Sequence, residues 1–599
     1  MDRKSLIILI ASLALLLVWI PLTNKIFPPI PAPVKPTNTV TAATNQIVAG
    51  TNAAPSLTAS PLGTNSITSA SVTNLPPREE RIVTIENENA KYLFSSRGGG
   101  LKSIELKKYP ADVGCEKNAR TNENVTLNDK AQVPALSILV NGDTNTLDYF
   151  TFTQTGEVIR AEAPLQNGLH MIKEYRLSTN YLLKATVRYE NRSAAPVALP
   201  EREFIVGTAT PLSRHDESIH LGLEWYNGEK GDKITEPWFA NKTLGCFPGT
   251  PRSYYREGQS NVAWAAVHNQ FFTMIAVPET VATEVSGRRI TLPPPTQEEI
   301  KNDPGAFATP FGYQTALILP ASVMGTNSFL EHRFDIFAGP KEFKTLQRLP
   351  RDMDTVMGFG RYFGFFAKTL LISMNGLHSL GIAYGLAIIV ITVIIKLLFW
   401  PLTNASTKSM KRMGALQPQM KAIQEKYKDD PRKMNLKMME FMKEHKVSPL
   451  GGCLPLLLQI PVFFGFYTML QSAIELRGAK FLWACDLSQS DTIFYLAGFP
   501  VNPLPLLMGA TMLWQARLTP PSPGMDPSQQ AIMRYMPLMM VVFLYNFSAG
   551  LTLYWTVQNL LSIAQMKLTR TAPEQGTTPA AGAKPGKPLP PAPAPKKKK

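Results

Sequence analysis

The sequence predicts a polytopic α-helical membrane protein that carries a large all-β domain outside the cytoplasm. Long apolar runs lie at the extreme N-terminus and after about residue 376, whereas residues 78–350 are mixed and polar. This middle region alternates apolar and polar side chains with a period of two, which is typical of half-buried strands. Basic residues crowd the segments that flank the apolar runs, as the positive-inside rule requires of cytoplasmic loops.

Charge and motif content exclude several simpler classes of protein. The 599 residues carry a formal net charge of +16, which nucleic-acid binders share, but membrane topology accounts for most of it. No HExxH, GxSxG, P-loop or GxGxxG motif indicates an active site, so we expect no enzyme, no metal site and no cofactor. In the stretch RHDESIH a solvated loop is favoured over a metal site formed by His215, Asp216, Glu217 and His220.

The four cysteines lack the spacing of a zinc site or a dense disulfide framework. They are Cys115, Cys246, Cys453 and Cys485, and no two of them form a CxxC motif. Cys115 and Cys246 both fall in the predicted β domain. They either form a bridge with each other or remain free thiols.

The N-terminal 77 residues predict an anchor followed by a tether. Residues 1–27 have a basic start and an apolar run from Leu6 to Ile20 with no cleavage site close behind, which indicates a signal anchor, transmembrane helix 1. The run is short for a span, so a cleaved signal sequence is the alternative. Residues 28–77 are Pro, Thr, Ser, Ala and Asn with Lys35 as the only charge, and are predicted to be a disordered linker.

Residues 78–350 are predicted to form one large β-sandwich domain. Around Gly98-Gly99-Gly100 the sequence indicates two strands joined by a turn, and a short helix is expected near residues 341–349. A clear strand pattern lies in YLLKATVRYEN, where one face should carry Leu183, Ala185, Val187 and Tyr189.

The remaining sequence predicts five further spans. With a cytoplasmic N-terminus, six spans in all return the C-terminus to the cytoplasm and place the β domain in the periplasm of a double-membrane bacterium. The segments are an interfacial helix (351–379), transmembrane helix 2 (380–402), a cytoplasmic helical hairpin broken at Asp429-Asp430-Pro431 (403–448), transmembrane helix 3 (449–473), a periplasmic loop (474–501), transmembrane helix 4 (502–518), a cytoplasmic loop (519–534), transmembrane helices 5 (535–547) and 6 (550–568), and a basic disordered cytoplasmic tail (569–599).

Lys396 interrupts an apolar run and is the first candidate for function. It is the only formal charge between His378 and Lys408. A charge at the centre of a transmembrane helix costs about 2.5 to 3.5 kcal/mol on insertion scales, so such residues are functional candidates by default. The alternative is that the long side chain snorkels past Trp400-Pro401 to the headgroups.

Polar side chains on the predicted spans suggest a polar cavity in the bundle. Unpaired amides are expensive in hydrocarbon, so they should face one another or water. Ordinary interhelical hydrogen bonding is the alternative interpretation. The residues concerned are Thr392, Gln459, Gln558, Asn559, Ser562 and Gln565.

Four stretches between about residues 380 and 568 closely resemble the YidC membrane protein insertases of the Oxa superfamily. They are KLLFWPLTNASTKSM, LQPQMKAIQEKYKDDPRKMNLKMMEFMKEHKV, SPLGGCLPLLLQIPVFFGFYTMLQSAIELRGAKFLW and SAGLTLYWTVQNLLSIAQ. The anchor, linker and β domain are similar to the Gram-negative version of this family. The resemblance implies a five-helix core and a periplasmic β-super-sandwich similar to sugar mutarotases.

The resemblance also implies a function and a site. Insertases and chaperones of this family insert and fold nascent inner-membrane proteins, alone or with the Sec translocon. Their hydrophilic groove opens to cytoplasm and lipid, and its cation, commonly arginine, falls on Lys396. Groove-facing or substrate-contacting positions fall on Thr392, Gln459, Tyr554, Trp555 and Asn559.

The implied partners are nascent membrane proteins, the Sec translocon, the phospholipid bilayer and the ribosome. The lysine-rich tail has a composition suited to ribosomal RNA or anionic lipid. Two other classes stay open. A membrane transporter or channel would be favoured by internal repeats, which we do not find, and a tethered periplasmic sugar-binding protein would need an aromatic, acidic pocket within residues 78–340.

Overall fold

The computed structural model describes residues 79–569 except for 114–121, 145–146, 213–215, 243–248, 303–310, 361, 446, 448–453, 498 and 520–526. The predicted signal anchor, the linker and residues 570–599 of the predicted tail lie outside the described residues. The same holds for Cys115, Cys246 and Cys453, so the predicted alternatives for Cys115 and Cys246 stay predictions. Cys485 is disulfide-bonded.

Strands fill the described chain from residue 82 to residue 340, and one small hairpin lies further on. In chain order they are β1 (Ile82–Glu86), β2 (Ala90–Ser95), β3 (Gly100–Pro110), β4 (Asn124–Leu127), β5 (Ile138–Val140), β6 (Thr151–Thr155), β7 (Val158–Pro164), β8 (Leu169–Leu177), β9 (Leu182–Asn191), β10 (Val197–Leu199), β11 (Arg202–Ala209), β12 (Gly222–Tyr226), β13 (Gly231–Thr235), β14 (Tyr254–Glu257), β15 (Trp264–His268), β16 (Phe272–Pro278), β17 (Glu284–Thr291), β18 (Phe311–Leu319), β19 (Ser322–Met324), β20 (Phe329–Pro340), β21 (Phe494–Leu496) and β22 (Phe499–Val501).

Two large antiparallel sheets form the β domain. The nine-stranded sheet has the order β13-β12-β15-β16-β20-β9-β8-β7-β6, and the five-stranded sheet has the order β14-β17-β18-β11-β5. They pack face to face, and the rings of Phe204 and Phe334 stack across the interface at 3.9 Å between centroids. A third sheet, β1-β2-β3-β4, contacts the nine-stranded sheet, where Phe94 packs against Phe152 and Tyr175. The predicted β-rich domain is therefore confirmed.

Strand β9 shows why the period-two pattern predicted this domain. Leu183, Ala185, Val187 and Tyr189 are all buried, whereas Lys184 between them is exposed. Successive side chains of a strand point to opposite faces, so alternation places one set in the core and the other in solvent.

Lys173 on β8 is a charge-bearing side chain buried in this core. Its ammonium group donates hydrogen bonds to the carbonyls of Gly98 (2.7 Å) and Leu136 (2.9 Å). Burial lowers the pKa of Lys173 from 10.5 to about 7, and the nearby Asp148 carboxylate opposes this shift only in part. The glycine turn between β2 and β3 is thus fixed to the large sheet by a lysine that folding makes easier to deprotonate.

We expect the stability of the β domain to rise with pH because of Lys173. Between about pH 7 and 10 the unfolded chain holds a proton that the folded lysine has released, so the free energy of unfolding increases with pH, by up to about 1.4 kcal/mol per unit. Thermal unfolding of the full-length protein in detergent measures this slope. Lys173→Met should flatten it, and equal slopes in the two proteins would contradict the assignment.

Two short helices of the described chain lie among the strands of the β domain, and the other helices follow β20. They are α1 (Glu236–Ala240), α2 (Gln297–Asn302), α3 (Phe343–Leu346), α4 (Gly364–Ser379), α5 (Tyr384–Leu398), α6 (Trp400–Ala415), α7 (Gln417–Lys426), α8 (Pro431–Glu444), α9 (Leu454–Ser472), α10 (Pro503–Leu518), α11 (Pro527–Leu544) and α12 (Ala549–Leu568). Helix α4 packs against α9, while α12 packs against both α5 and α10. These helices form the bundle that contains the candidate site.

The structure differs from the predicted segments at three places. The span predicted at 380–402 is broken at Phe399, where α5 meets α6 at 65°. Pro401 stands in the first turn of α6, and proline fits there because its missing N–H is not needed. Another break at Leu416 gives the segment predicted to be a cytoplasmic hairpin three helices instead of two, and α11 begins at Pro527 inside the predicted 519–534 loop.

Length and hydropathy together decide which of the described helices are candidate membrane spans. No single helix there is both long and apolar enough to cross a membrane, and the pair α5 and α6 meets the requirement only together, across its bend. The number of six spans therefore stays a prediction.

The β domain contacts the helical bundle through Arg477, which follows α9. Its guanidinium donates to the carbonyls of Pro110 and Ala111, both at 2.8 Å, and lies over the ring of Phe272. Gln270 adds a hydrogen bond of 3.0 Å to the carbonyl of Gln471 at the end of α9. This surface positions the β domain over one end of the bundle.

Candidate functional site

Lys396 lies inside the helical bundle, in the last turn of α5. Only 7% of its surface is exposed. Its ammonium group donates a hydrogen bond of 2.8 Å to the hydroxyl of Ser562 on α12. Among the described residues no carboxylate pairs with it. In this structure Lys396 points across the bundle to α12.

Hydrogen bonds continue from Ser562 to a third helix. The Ser562 hydroxyl donates to the main-chain carbonyl of Gln558 at 2.8 Å. The side-chain amide of Gln558 donates to the side-chain oxygen of Gln459 on α9 at 3.0 Å. Gln459 donates in turn to the hydroxyl of Tyr554. We call Lys396, Ser562, Gln558, Gln459 and Tyr554 the inter-helix polar network.

Helix geometry explains why these positions meet. Tyr554, Gln558 and Ser562 are four residues apart, so they lie on one face of α12. Along the axis they cover eight residues, which is about 12 Å at the usual helical rise. Tyr554 and Lys396 at the two ends are buried, whereas the three residues between them are partly exposed. The network is therefore accessible from outside the bundle along its middle.

The other predicted site residues lie near the network but have different partners. The Thr392 hydroxyl donates to the Ile388 carbonyl of its own helix at 2.7 Å. Asn559 faces α10, where its amide donates to Thr511 at 3.2 Å. Trp555 packs edge-to-face on Phe463 of α9 with 4.9 Å between ring centroids. The structure thus places Lys396, Gln459 and Tyr554 in one chain of hydrogen bonds through Ser562 and Gln558. Thr392, Asn559 and Trp555 lie outside that chain.

A second polar contact region holds the end of α12 against α6. Gln565 donates to the Thr403 hydroxyl at 2.6 Å. Lys411 donates to the carbonyls of Met566 (2.8 Å) and Thr569 (2.7 Å). Cations and donors at a helix C-terminus satisfy carbonyls that have no partner in the helix. This contact fixes the C-terminal end of α12 together with Thr569, the last described residue.

The sequence predicts which side chains in the helices are polar, but not which of them bond to one another. It places Ser562 and Gln558 among several polar residues of the last helix, although these two residues link Lys396 to Gln459. Their i, i+4 spacing with Tyr554 is a signal that could have selected them. Nothing in the sequence marks Thr511 as the partner of Asn559.

The RHDESIH stretch has a structural role where it is described. The Asp216 carboxylate accepts hydrogen bonds from the Leu212 N–H (2.8 Å) and the Asn269 side chain (3.3 Å). His215 lies outside the described residues. Within the described ranges no group of three or more His, Cys, Asp or Glu side chains is arranged to hold a metal ion.

A helical bundle with a buried cation and amides paired across helices, joined to a β-sandwich, defines a class of protein with two structurally distinct parts. Comparison with known proteins narrows this class. Residues 376–575 match the family described as 60Kd inner membrane protein, and residues 82–373 match the YidC periplasmic domain. The chain belongs to the YidC family of membrane protein insertases.

Relatives match over nearly the full length. The chain is 32% identical to a membrane protein insertase YidC from Pelobacter propionicus and 30% identical to one from Syntrophus aciditrophicus, over 94% of this chain and 98% of each relative. A solved active YidC insertase is 19% identical, with 81% of this chain and 92% of that one covered at a TM-score of 0.32. A galactose mutarotase related enzyme from Lactobacillus acidophilus is 11% identical, with 43% and 97% covered at a TM-score of 0.28.

Proposed function

We propose that this insertase moves the polar tails of nascent membrane proteins along the inter-helix polar network. The observation that carries the proposal is the continuity of the network, in which hydrogen bonds join α5, α12 and α9. A tail crossing pure hydrocarbon would lose several kcal/mol for each unsatisfied polar group. A polar path of about 12 Å removes more than a third of a hydrocarbon core about 30 Å thick.

Lys396 supplies the charge in this path. An ammonium group with no carboxylate partner in the described part of the chain attracts acidic and polar tails into the bundle. Lysine differs from the arginine that is common at this position in the family, because it can lose its proton and offers no bidentate fork. Water reaching the half-exposed middle of the network keeps the ammonium charged.

Short helices assist by thinning the bilayer locally. Helix α5 has 15 residues and α10 has 16, which correspond to about 22 and 24 Å. A span shorter than the hydrocarbon core of about 30 Å draws the two surfaces together. The hydrophobic segment of the substrate then leaves sideways along α9 and α12, and the membrane potential pulls acidic tails outward without any nucleotide.

The proposed topology assigns each part of the chain to one side of the membrane. Transmembrane helix 1 anchors the chain, the β domain lies in the periplasm, and the hairpin and tail lie in the cytoplasm where nascent chains arrive. The groove residues are Lys396, Thr392, Gln459, Tyr554, Trp555 and Asn559, together with Ser562 and Gln558. The Sec translocon is a second partner for substrates with large external domains.

Reconstitution tests this function directly. The full-length protein in proteoliposomes should insert a short-tailed single-span substrate, so that protease added outside no longer cuts the translocated tail. Liposomes without the protein serve as the control. Protection at the same level with and without the protein would contradict insertase activity by this chain alone.

The basic tail should increase binding to ribosomes. Lys584, Lys587 and residues 596–599 are all lysine, and phosphate contacts of this kind weaken as salt rises. Truncation after Arg570 should reduce cosedimentation with ribosomes, and replacement of residues 596–599 by glutamine tests charge at constant length. Unchanged cosedimentation in both variants would leave anionic lipid as the partner of the tail.

Sugar binding is a weaker candidate for the β domain. One cavity there, lined by Thr208, His268, Asn269 and Phe272 among others, has a volume of about 20 Å³. That is room for about one water molecule and not for a sugar ring. A transporter lacks support as well, because the polar network joins three helices that show no repeat relation in the sequence.

A further inference from the structure

The loop between α9 and α10 exposes a cluster of apolar and aromatic side chains that the insertion path does not use. Each of them is between 41% and 74% exposed. We call this set the aromatic patch, and it consists of Leu482, Trp483, Ile493, Phe494, Tyr495, Leu496 and Phe499.

We propose that the aromatic patch inserts into the headgroup layer of the periplasmic leaflet of the bilayer. This inference rests on the proposed topology, in which the 474–501 loop lies on the periplasmic side. The bilayer surface is the partner because the patch is continuous with α10, which the proposed topology makes a span. From Thr492 to Ala516 the chain carries no formal charge, and Leu506 and Leu507 on α10 extend the exposed apolar surface.

Backbone geometry indicates that the patch is built to expose apolar side chains. Phe481 and Ala484 exchange two backbone hydrogen bonds of 2.9 Å, which leaves Leu482 and Trp483 as a two-residue turn. Leu482 has a φ of 52°, at a position where such turns prefer glycine. A leucine in this conformation raises the backbone energy, and in water its exposed side chain gains no burial free energy to offset that cost. Contact with lipid removes the side chain from water and offsets the cost.

Internal contacts hold the patch in place. The Trp483 indole N–H donates to the Asp491 carboxylate at 2.9 Å, and the same oxygen accepts the Leu504 N–H of α10 at 2.7 Å. The Tyr545 hydroxyl donates to the Pro500 carbonyl at 2.7 Å. Trp483 therefore has its polar edge satisfied inside the protein and its ring outside, which suits a membrane interface.

The depth of insertion follows from the backbone. Among the described strands β21 and β22 pair only with each other, so their outer edges lie outside any larger sheet, and one outer-edge carbonyl, that of Pro500, accepts a hydrogen bond from Tyr545 instead. Backbone groups at an open edge are excluded from hydrocarbon but not from the headgroup layer. Helix α10 is about 6 Å shorter than the hydrocarbon core, and the patch provides apolar cover at its N-terminal end.

Fluorescence quenching by brominated lipid tests this inference on the full-length protein in proteoliposomes. Leu496→Trp adds one indole to the patch, and Val323→Trp adds one to an exposed strand of the β domain as the matched control. The fluorescence that Leu496→Trp adds to that of the wild type is the quantity measured. With bromine placed close to the headgroup, about half of this added fluorescence should be lost, because interfacial aromatic rings lie at headgroup level. The control should lose none.

Two results would overturn the inference. They are equal quenching of Leu496→Trp and Val323→Trp, and stronger quenching by bromine near the chain ends than near the headgroup. Phe494→Trp repeats the test at a second position if Leu496→Trp does not fold. The same vesicles are assayed for insertion, so normal insertion without quenching rejects the patch and leaves the proposed function intact.

Discussion

Replacing Lys396 with glutamate should strongly reduce insertion of substrates whose translocated tails are acidic. At roughly 4 to 8 Å and an effective dielectric between that of water and about 20, a charge pair is worth on the order of 1 to 2 kcal/mol. Lys396→Ala loses this attraction, roughly a 5- to 30-fold effect at most, and Lys396→Glu turns it into repulsion of similar size. Lys396→Arg should retain function.

The structure explains why alanine should impair insertion and not abolish it. Without the lysine, Ser562 still donates to the Gln558 carbonyl, so the remainder of the network keeps its hydrogen bonds. The polar path then persists without its charge. Substrates with neutral tails should therefore be affected much less than substrates with acidic tails.

A set of tails and variants separates charge from other effects. One single-span substrate with neutral, acidic or basic tails is inserted by the wild type and by the Ala, Arg and Glu variants at equal protein levels. Lys408→Glu on α6 is the matched control, since it makes the same charge change at an exposed position. Equal insertion of every tail by Lys396→Ala and Lys396→Glu would remove Lys396 from the mechanism.

Much of the fold is predictable because local patterns determine it. Strand β9 follows its alternation, and Pro431 after Asp430 predicts the start of α8, where the Asp430 side chain accepts the Lys433 N–H. The break at Phe399 could have been predicted too, since Trp400-Pro401 has the form of a helix start. The break at Leu416 carries a weaker signal, with Pro418 in the first turn of the next helix.

The candidate site is less predictable because it depends on which helix faces meet. The sequence shows that Lys396 and several amides are too polar to face lipid. It does not show that Lys396 pairs with Ser562, which is 166 positions away. Long-range pairing is set by packing of whole helices, so spacing within one helix identifies a face and not its partner.

The amides that join α9 to α12 are the second site, after Lys396, at which substitution should reduce insertion strongly. Replacing Gln459 and Gln558 with leucine should reduce insertion of polar tails by roughly tenfold whatever their charge, because a shortened path leaves more polar groups unsatisfied in hydrocarbon. This charge independence distinguishes the amides from Lys396. Thr468→Val on α9 is the control, since that hydroxyl bonds only carbonyls of its own helix in the structure.

Single and double variants then show whether the amides act as one unit. Gln459→Leu alone leaves the buried Tyr554 hydroxyl and the Gln558 amide without their partner, and each unsatisfied buried group costs about 1 to 3 kcal/mol. The double variant removes one of these groups, so its loss of stability should be less than the sum of the two single losses. Thermal unfolding measures stability and the protease-protection assay measures insertion. A double variant that inserts neutral and acidic polar tails at the wild-type rate would show that tails do not travel along this network.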